Sequence, residues 1–283
     1  MHCNSNFRKG IFFIAIPALL VAVSAFFFTA CQKSNDNNLN NGDDQGGYAS
    51  DASRIEWVTD DVISIADAAG QVYNGVYMGS CCTVGTDTVS NPHVLVIRFG
   101  SDACVCADGR KRSGAIIVSY SGEYADTNSL HTITFDNYYV NGNQLSGQIT
   151  TTRVDTTIVG NWYYKVAVND SLNMTPDPLN SQFIVWNGKL VRKWVQGFDS
   201  PNRNNEIFSI SGAATLTRPN NHSFNFNIAT PLQFALSCNF CESGVVNVSS
   251  YNGARVLNYG AGTCDPYAQL NIGTHIYHLT LTQ

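Results

Sequence analysis

Charged residues are scarce in this chain of 283 residues, in which Asp, Glu, Lys and Arg together make up 13% of the sequence. The longest run of basic residues is Arg110-Lys111-Arg112. A nucleic-acid-binding surface needs a larger basic patch than this, so the sequence predicts no nucleic-acid partner and places these three residues in a solvated turn. Low charge together with many Asn, Ser, Thr, Gly and Tyr residues is typical of an extracellular β-sheet surface.

The sequence also lacks the short patterns that mark common active sites. It contains no His-Glu-x-x-His helix, no Gly-x-Ser-x-Gly turn, no phosphate loop and no dinucleotide-binding fingerprint. His275 and His278 are three positions apart on a predicted strand, so they point to opposite faces and cannot chelate one metal ion together. Three other histidines are expected at the surface, in or beside turns: His93, His131 and His222. No cofactor and no catalytic residue is therefore predicted.

Acidic pairs such as Glu123 and Asp126 keep one enzymatic alternative open. Hydrolysis of a glycosidic bond uses two carboxylates that flank the bond, although carboxylates in a turn of this kind are more often solvated. The main interpretation is therefore a non-enzymatic binding or structural module. A polysaccharide-processing hydrolase with an unrecognised carboxylate site is the alternative.

The longest apolar segment lies at the N-terminus. Arg8 and Lys9 precede an uncharged run from Ile11 to Phe28, and Thr29-Ala30-Cys31 closes it. This order is that of a secretory signal, and small residues before a cysteine resemble the lipobox of bacterial lipoproteins, in which that cysteine is lipidated. An uncleaved membrane helix is the alternative, because eighteen residues approach the length that spans a bilayer.

The mature chain is accordingly predicted to begin at a lipidated Cys31. Residues 1–30 are a lipoprotein signal peptide, residues 31–50 a flexible tether rich in Asn, Asp and Gly, and residues 51–283 a single β-rich domain. Removing the signal peptide with its two basic residues changes the formal net charge from −5 to −7. The expected location is the cell envelope, on the periplasmic or surface face of the outer membrane, with the lipid anchor binding the membrane.

One helix and many strands are predicted after the tether. Ser53-Arg54-Ile55-Glu56 has the form of a capping box, so a helix is expected near residues 54–69, ending at Gly70 and plugging one end of the sheet. Its apolar stripe consists of Ile55, Val58, Val62, Ile65 and Ala69.

Alternating sequences such as Phe224 to Ile228 predict antiparallel strands. Strands 94–97 and 116–118, apolar on both faces, are expected to be central and covered. Three hairpins are expected at Asn-Gly pairs, namely Asn141-Gly142, Asn187-Gly188 and Asn252-Gly253. The fold class is all-β, a long antiparallel meander that closes as a sandwich or a partly open barrel.

Several segments of the mature chain are similar to known sequences. They are residues 99–106, 108–110, 113–118 and 132–141, with 61–64 near the start and 257–260 and 264–265 near the end. Because of these segments, the chain resembles an uncharacterised family of bacterial all-β lipoproteins. The resemblance implies lipoprotein status and no particular activity. The doubled Cys81-Cys82 and the additional Cys106 depart from the simpler cysteine pattern of that family.

Seven cysteines follow the predicted anchor: Cys81, Cys82, Cys104, Cys106, Cys238, Cys241 and Cys264. In an oxidising compartment disulfides are the default. Cys81 precedes Cys104 by 23 positions and Cys241 precedes Cys264 by the same number, within a weak internal repeat. We therefore expect Cys81 or Cys82 to pair with Cys104 or Cys106, and Cys238 or Cys241 to pair with Cys264, while the odd count leaves one thiol free. Metal binding by the closely spaced cysteines is the alternative.

Aromatic residues carry the remaining functional prediction. Trp162, Tyr163, Trp186 and Trp194 are the candidates for an exposed stacking platform of the kind that sugar-binding β domains present, although core packing is the commoner role of any single ring. Strand alternation favours Tyr163 as the exposed member. An envelope or environmental glycan is thus the predicted ligand.

Overall fold

The computed structural model describes residues 47–70, 79–155, 162–177, 182–197, 203–219 and 221–281. Within these residues lie one α-helix, α1 (Gly47–Gly70), and two short 3₁₀ helices, Gly79–Cys81 and Arg203–Asn205. The remainder is built of fourteen β-strands: β1 (Thr83–Asp87), β2 (His93–Val105), β3 (Lys111–Tyr120), β4 (Leu130–Val140), β5 (Asn143–Ser146), β6 (Gln148–Asp155), β7 (Trp162–Asp177), β8 (Gln182–Gln196), β9 (Ile207–Thr217), β10 (Ser223–Ala235), β11 (Ser243–Ser250), β12 (Gly253–Ala261), β13 (Tyr267–Ile272) and β14 (His275–Thr280).

The strands form a single antiparallel sheet in which neighbours in sequence are neighbours in space. The one irregularity lies between β4 and β7, where β5 and β6 each pair with both of those strands. Gly147 separates β5 from β6 and has a φ of 100°, which glycine adopts without steric cost. The predicted all-β meander with one helix near the N-terminus is therefore confirmed.

Two of the three expected hairpin turns are present. Asn141 and Gly142 join β4 to β5 with φ values of 49° and 84°, as the pair was predicted to do. Between β11 and β12 the residue opposite Ser250 is Gly253, so Tyr251 and Asn252 make the turn, one position earlier than predicted.

The hairpin predicted at Asn187-Gly188 is wrong, because β8 runs straight through both residues. A Cβ added to Gly188 would lie 2.8 Å from the Cβ of Ala214 on β9. Glycine is needed here because two strands approach closely, and no turn is involved.

Helix α1 is longer and more central than the sequence suggested. It begins at Gly47, so Ser53 lies inside the helix and the expected capping box does not start it. Gly70 ends the helix as predicted. Tyr48 in the first turn stacks on Phe224 of β10, with ring centroids 4.4 Å apart.

Four of the five residues of the predicted apolar stripe are buried, and Ala69 is half-buried. The opposite side of the helix is buried as well. Side chains of three distant strands bond to the helix, namely Arg112 of β3, Arg192 of β8 and Tyr259 of β12. The sheet therefore curves around α1, and the helix packs against it with more than the predicted stripe.

The inner faces of the strands supply the rest of the core. Phe208, Ile210, Ala214 and Leu216 of β9 are all buried, which confirms the alternation predicted for this segment. Segments 94–97 of β2 and 116–118 of β3 differ from expectation, because only their inward-facing residues Leu95, Ile97, Ile116 and Val118 are buried, while the residues that alternate with them are half-buried. The inner face is the one on which α1 packs. No helix among the described residues is long and apolar enough to cross a membrane.

Candidate functional site

Two of the three residues of the basic run after β2 lie inside the protein, contrary to the predicted solvated turn. Arg110 and Arg112 are buried and both reach Asp61 of α1, with N–O distances of 2.7 Å. Arg112 also binds Asp108 at 2.7 Å, and the guanidinium of Arg110 lies 4.4 Å from the ring centre of Trp57. Strand alternation explains the arrangement, because Arg112 points inward while Lys111 beside it points outward and is exposed.

A second buried cluster surrounds Arg192 of β8. Its guanidinium donates to Asp60 at 2.5 Å, to Ser64 at 2.7 Å and to Asp67 at 3.4 Å, all on α1. Burial raises the pKa of the Asp60 carboxyl, and the charge of Arg192 opposes that shift. The ring of Phe208 covers the guanidinium with its centroid 3.4 Å away, so this arginine is closed off from solvent.

The carboxyl group of Glu56, also on the helix, has a perturbed pKa. Burial raises its pKa to about 8, against the opposing effect of the hydrogen bond that Tyr259 donates at 3.3 Å. An internal cavity of about 20 Å³, bordered by Glu56, Asp60 and Arg192, lies beside it. That volume suits about one water molecule. Perturbed acids can mark active sites, but this cavity is too small for a sugar.

An open pocket lies on the outer face of the last three strands. Its volume is about 210 Å³, and the loop between β12 and β13 forms one wall. Gly260 lies near the end of β12, just before that loop, with a φ of 95°, and its N–H donates to the side-chain oxygen of Asn258 at 2.9 Å. Asp265 shapes the other end of the loop by accepting the N–H of Tyr267, also at 2.9 Å.

A row of polar side chains crosses the floor of this pocket. Asn258 pairs with Gln269 across β12 and β13, and Gln269 pairs with His278 across β13 and β14. Tyr267 lies two residues from Gln269 and therefore on the same face. Its side chain is 63% exposed. The pocket thus combines one exposed ring with amide and imidazole groups that can donate and accept hydrogen bonds.

The number of carboxylates in the pocket limits the reactions that it could catalyse. Asp265 is the only carboxylate among the residues that line it. A glycosidase needs two carboxyl groups about 5–9.5 Å apart, so this pocket lacks the pair on which the hydrolase alternative depends. Glu123 and Asp126 lie in an exposed turn elsewhere, where the N–H of Glu123 donates to Asp126 at 3.2 Å.

The aromatic platform predicted from the sequence is not assembled as expected. Trp186 is 0% exposed and Trp194 is 8% exposed, because both point inward from β8. The indole N–H of Trp194 donates to Glu206 at 3.0 Å. Tyr163 is half-buried on the outer face of β7, while the side chain of Trp162 lies outside the described part of the structure. An exposed platform therefore cannot include Trp186 or Trp194.

Two cysteine pairs lie at disulfide distance and agree with the predicted groupings. Cys81 pairs with Cys104 and Cys238 with Cys264, with Cα–Cα distances of 5.6 and 5.7 Å. Among the cysteines that the structure describes, three lie outside these pairs where one was expected: Cys82, Cys106 and Cys241. Cys241 and Cys264 have the same spacing as the bonded pair Cys81 and Cys104, but they are not bonded to each other.

Metal binding was the alternative for the closely spaced cysteines. Cys238, Glu242 and Cys264 have ligand atoms within 4.8 Å of one another. The two sulfurs are joined to each other, so they do not act as thiolate ligands. Cys31, the predicted lipidation site, lies outside the described residues.

The histidines divide between surface and core. His275 and His278 are exposed on β14, as expected for a final strand. His131 contradicts its predicted surface position, because it is fully buried in β4. Its ring lies 2.9 Å from the carbonyl oxygen of Tyr124 and 3.2 Å from the hydroxyl of Thr151. Burial lowers the pKa of His131, which favours the neutral ring.

Comparisons of this chain with protein-family models, with curated proteins and with solved structures find no match. The resemblance to a lipoprotein family therefore stays a prediction. The pocket residues Asn258, Tyr267, Gln269 and His278 were missed by sequence reasoning because they form no motif. Strand alternation was the available signal, since it places each of them on an outer face.

Proposed function

We propose that this chain is a lipid-anchored envelope protein that acts as a non-enzymatic binding module for a glycan. The observation that supports this function is the pocket on β12–β14, in which the exposed ring of Tyr267 stands beside Asn258, Gln269 and His278. A sugar presents a C–H face that packs on an aromatic ring and hydroxyl groups that need both donors and acceptors. The pocket offers both kinds of contact.

The size of the pocket indicates how much of a glycan it holds. Its volume of about 210 Å³ is smaller than the ~300–1,000 Å³ of sites that enclose a whole small molecule. A sugar unit at the end or edge of a larger chain is therefore the proposed occupant. Because few groups contact such a unit, we expect a Kd between about 1 mM and 1 μM.

The pocket lies on paired strands, which fixes its geometry. Three antiparallel strands hold the row from Asn258 to His278, and the Cys238–Cys264 pair ties the loop wall to the segment before β11. A site held by strands and a cross-link loses little freedom on binding. This arrangement suits recognition of a fixed ligand shape.

The proposed anchor is a lipid on Cys31, and the residues between Cys31 and the start of α1 at Gly47 are the proposed connection to the domain. The predicted tether therefore does not include residues 47–50, which belong to α1. Envelope location on the outer membrane follows from the signal-like N-terminus and is part of the proposal. Mass spectrometry of the protein from a bacterial membrane fraction should show an acylated peptide that begins at Cys31. An unacylated chain that begins at Met1 would contradict the anchor, and Cys31→Ala should leave the protein unanchored or unprocessed.

The binding proposal is tested on an array of neutral envelope and environmental glycans, followed by titration of any ligand found. Wild-type protein should bind at least one neutral glycan, and Tyr267→Ala and Gln269→Ala should each abolish that binding without moving the thermal midpoint. Tyr251→Ala is the matched control, because Tyr251 is 69% exposed and lies in the β11–β12 turn outside the pocket. Unchanged binding by Tyr267→Ala, or no neutral glycan bound by the wild type, would contradict the proposal.

A further inference from the structure

The outer face of β7 and β8 carries three lysines around one valine. Lys165 on β7 lies opposite Val191 on β8, and Lys189 and Lys193 flank Val191 at two residues on either side. All three lysine side chains are exposed. Residues four apart on a strand are separated by about 13 Å, so the three ammonium groups form a patch of roughly that length. This group of three is called the lysine face below.

The lysine face is unusual because the chain is acidic overall and has few lysines. The formal net charge is −5, yet three of the four lysines among the described residues lie in this one patch. Several arginines form ion pairs in the interior: Arg110, Arg112 and Arg192 bind acids of α1. No salt bridge within the described residues reaches Lys165, Lys189 or Lys193.

The surroundings of the patch are polar and uncharged. Outward-facing neighbours on β6 and β9 carry hydroxyl or small side chains: Thr150, Thr152, Ser209, Ser211 and Ala213. Like charges on adjacent positions of a sheet disfavour folding, and here no described carboxylate on the outer faces of β6–β9 offsets them. A bound polyanion would neutralise the patch.

We propose that the lysine face binds an acidic polysaccharide, one that carries carboxylate groups along its chain. The face is long enough for several sugar units, and its hydroxyl groups and the half-buried Tyr163 can contact sugar rings between the charges. This proposal does not rest on the β12–β14 pocket, from which it is separated by β9, β10 and β11.

An anionic lipid surface fits the same face less well. Peripheral membrane binding uses large apolar side chains that enter the interface beside the basic groups. The large apolar residues next to the lysines are Val191 and Val195, which are 36% and 49% exposed. Phe183 on the same face of β8 is 49% exposed, but it lies six positions from Lys189, about 20 Å along the strand and outside the patch. Short side chains in this setting do not reach into a bilayer. The patch therefore favours a hydrated polyanion.

The test compares polygalacturonate with its methyl ester, which has the same sugar backbone without the charge. The full protein should bind polygalacturonate and not the ester, and raising the NaCl concentration from about 0.05 M to about 0.3 M should weaken the binding, because exposed charges are screened. The triple variant Lys165→Gln, Lys189→Gln, Lys193→Gln should lose roughly tenfold or more in affinity. Its thermal midpoint should be no lower than that of the wild type, because all three residues are exposed and the substitutions remove the repulsion between them.

The controls separate this proposal from the others. Lys111→Gln, which removes an exposed lysine of β3 outside the patch, should bind polygalacturonate like the wild type, and so should Tyr267→Ala. Equal binding of the ester, or a triple variant that retains wild-type affinity, would overturn the lysine face. Vesicles containing phosphatidylglycerol that bind the protein when polygalacturonate does not would also overturn it, in favour of a membrane surface.

Discussion

Positively charged side chains have different environments on the two faces of this sheet. On the inner face, Arg112 and Arg192 are buried and bound to acids of α1. On the outer face, the residues next to them in sequence, Lys111 and Lys193, are exposed. Arginine suits the interior because its planar group binds carboxylates at several points, whereas the compact, strongly hydrated lysine charge suits water. In each of these two pairs, the arginine forms ion pairs in the interior and the neighbouring lysine lies at the surface.

This difference locates function on the outside of the protein. The perturbed acids of the interior are enclosed by the sheet and matched by arginines or tyrosines, so their unusual pKa values follow from folding. The outer face instead presents groups to solvent, in the β12–β14 pocket and on the lysine face. Each of the following predictions tests a residue of the inner face, of the outer face or of both.

The largest effect is expected at the centre of the inner network. Asp61→Ala removes the carboxylate that Arg110 and Arg112 share, and leaves two buried guanidinium groups with Asp108 as their remaining carboxylate. Breaking a buried pair in this way costs about 3–5 kcal/mol of unfolding free energy. Urea unfolding followed by tryptophan fluorescence measures the loss.

Glu123→Ala is the matched control on the outside. Glu123 is exposed in a turn, so its removal should change the unfolding free energy by less than about 0.5 kcal/mol. A similar small loss for Asp61→Ala would show that the inner ion pairs contribute little, and the contrast between the faces would fail.

A pH-dependent effect of intermediate size is expected at Glu56. Its pKa in the folded protein is raised to about 8 from an ordinary value of 4.5. Between these values the folded state holds a proton that the unfolded state has released, so stability is fully present below pH 4.5 and falls as pH rises toward 8. The slope is at most about 1.4 kcal/mol per pH unit.

Glu56→Gln should remove this slope, because glutamine stays neutral and can still accept the hydrogen bond from Tyr259. Subtracting the wild-type profile of unfolding free energy against pH from that of the variant isolates the contribution of residue 56. Glu123→Gln should follow the wild-type profile. A Glu56→Gln profile parallel to the wild type would mean that Glu56 is charged in the folded protein at neutral pH.

Strand alternation made most of the fold predictable. It anticipated the buried faces of β9 and β10 and the outward position of Tyr163. The Asn141-Gly142 turn was also visible, because both residues need a positive φ in a two-residue hairpin. The cysteine groupings agreed with the two pairs formed, although the repeat pointed to Cys241 where Cys238 is used.

The inner ion pairs could not be read from the sequence because their partners are far apart in it. Arg192 lies 132 positions from Asp60. Without that partner, the acids of α1 look like the solvated side of an amphipathic helix, and Arg110-Lys111-Arg112 looks like a surface turn. The β12–β14 pocket was hidden for a related reason, since the register of two hairpins brings Asn258, Gln269 and His278 into line.

The smallest effects are expected for two tyrosines on opposite faces of adjacent strands. Tyr259 of β12 is buried and donates its hydroxyl to Glu56, whereas Tyr267 of β13 is exposed in the pocket. Tyr259→Phe should lower the unfolding free energy by about 0.5–1.5 kcal/mol, the net contribution of one hydrogen bond. Tyr267→Phe should leave it unchanged within about 0.5 kcal/mol and should keep most glycan binding, because the ring remains. Thermal unfolding of both variants measures the change in stability, and glycan titration of both measures the change in binding. If Tyr267→Phe proved the more destabilising of the two, the outer ring would have a structural role, and the assignment of the pocket to ligand binding would lose its support.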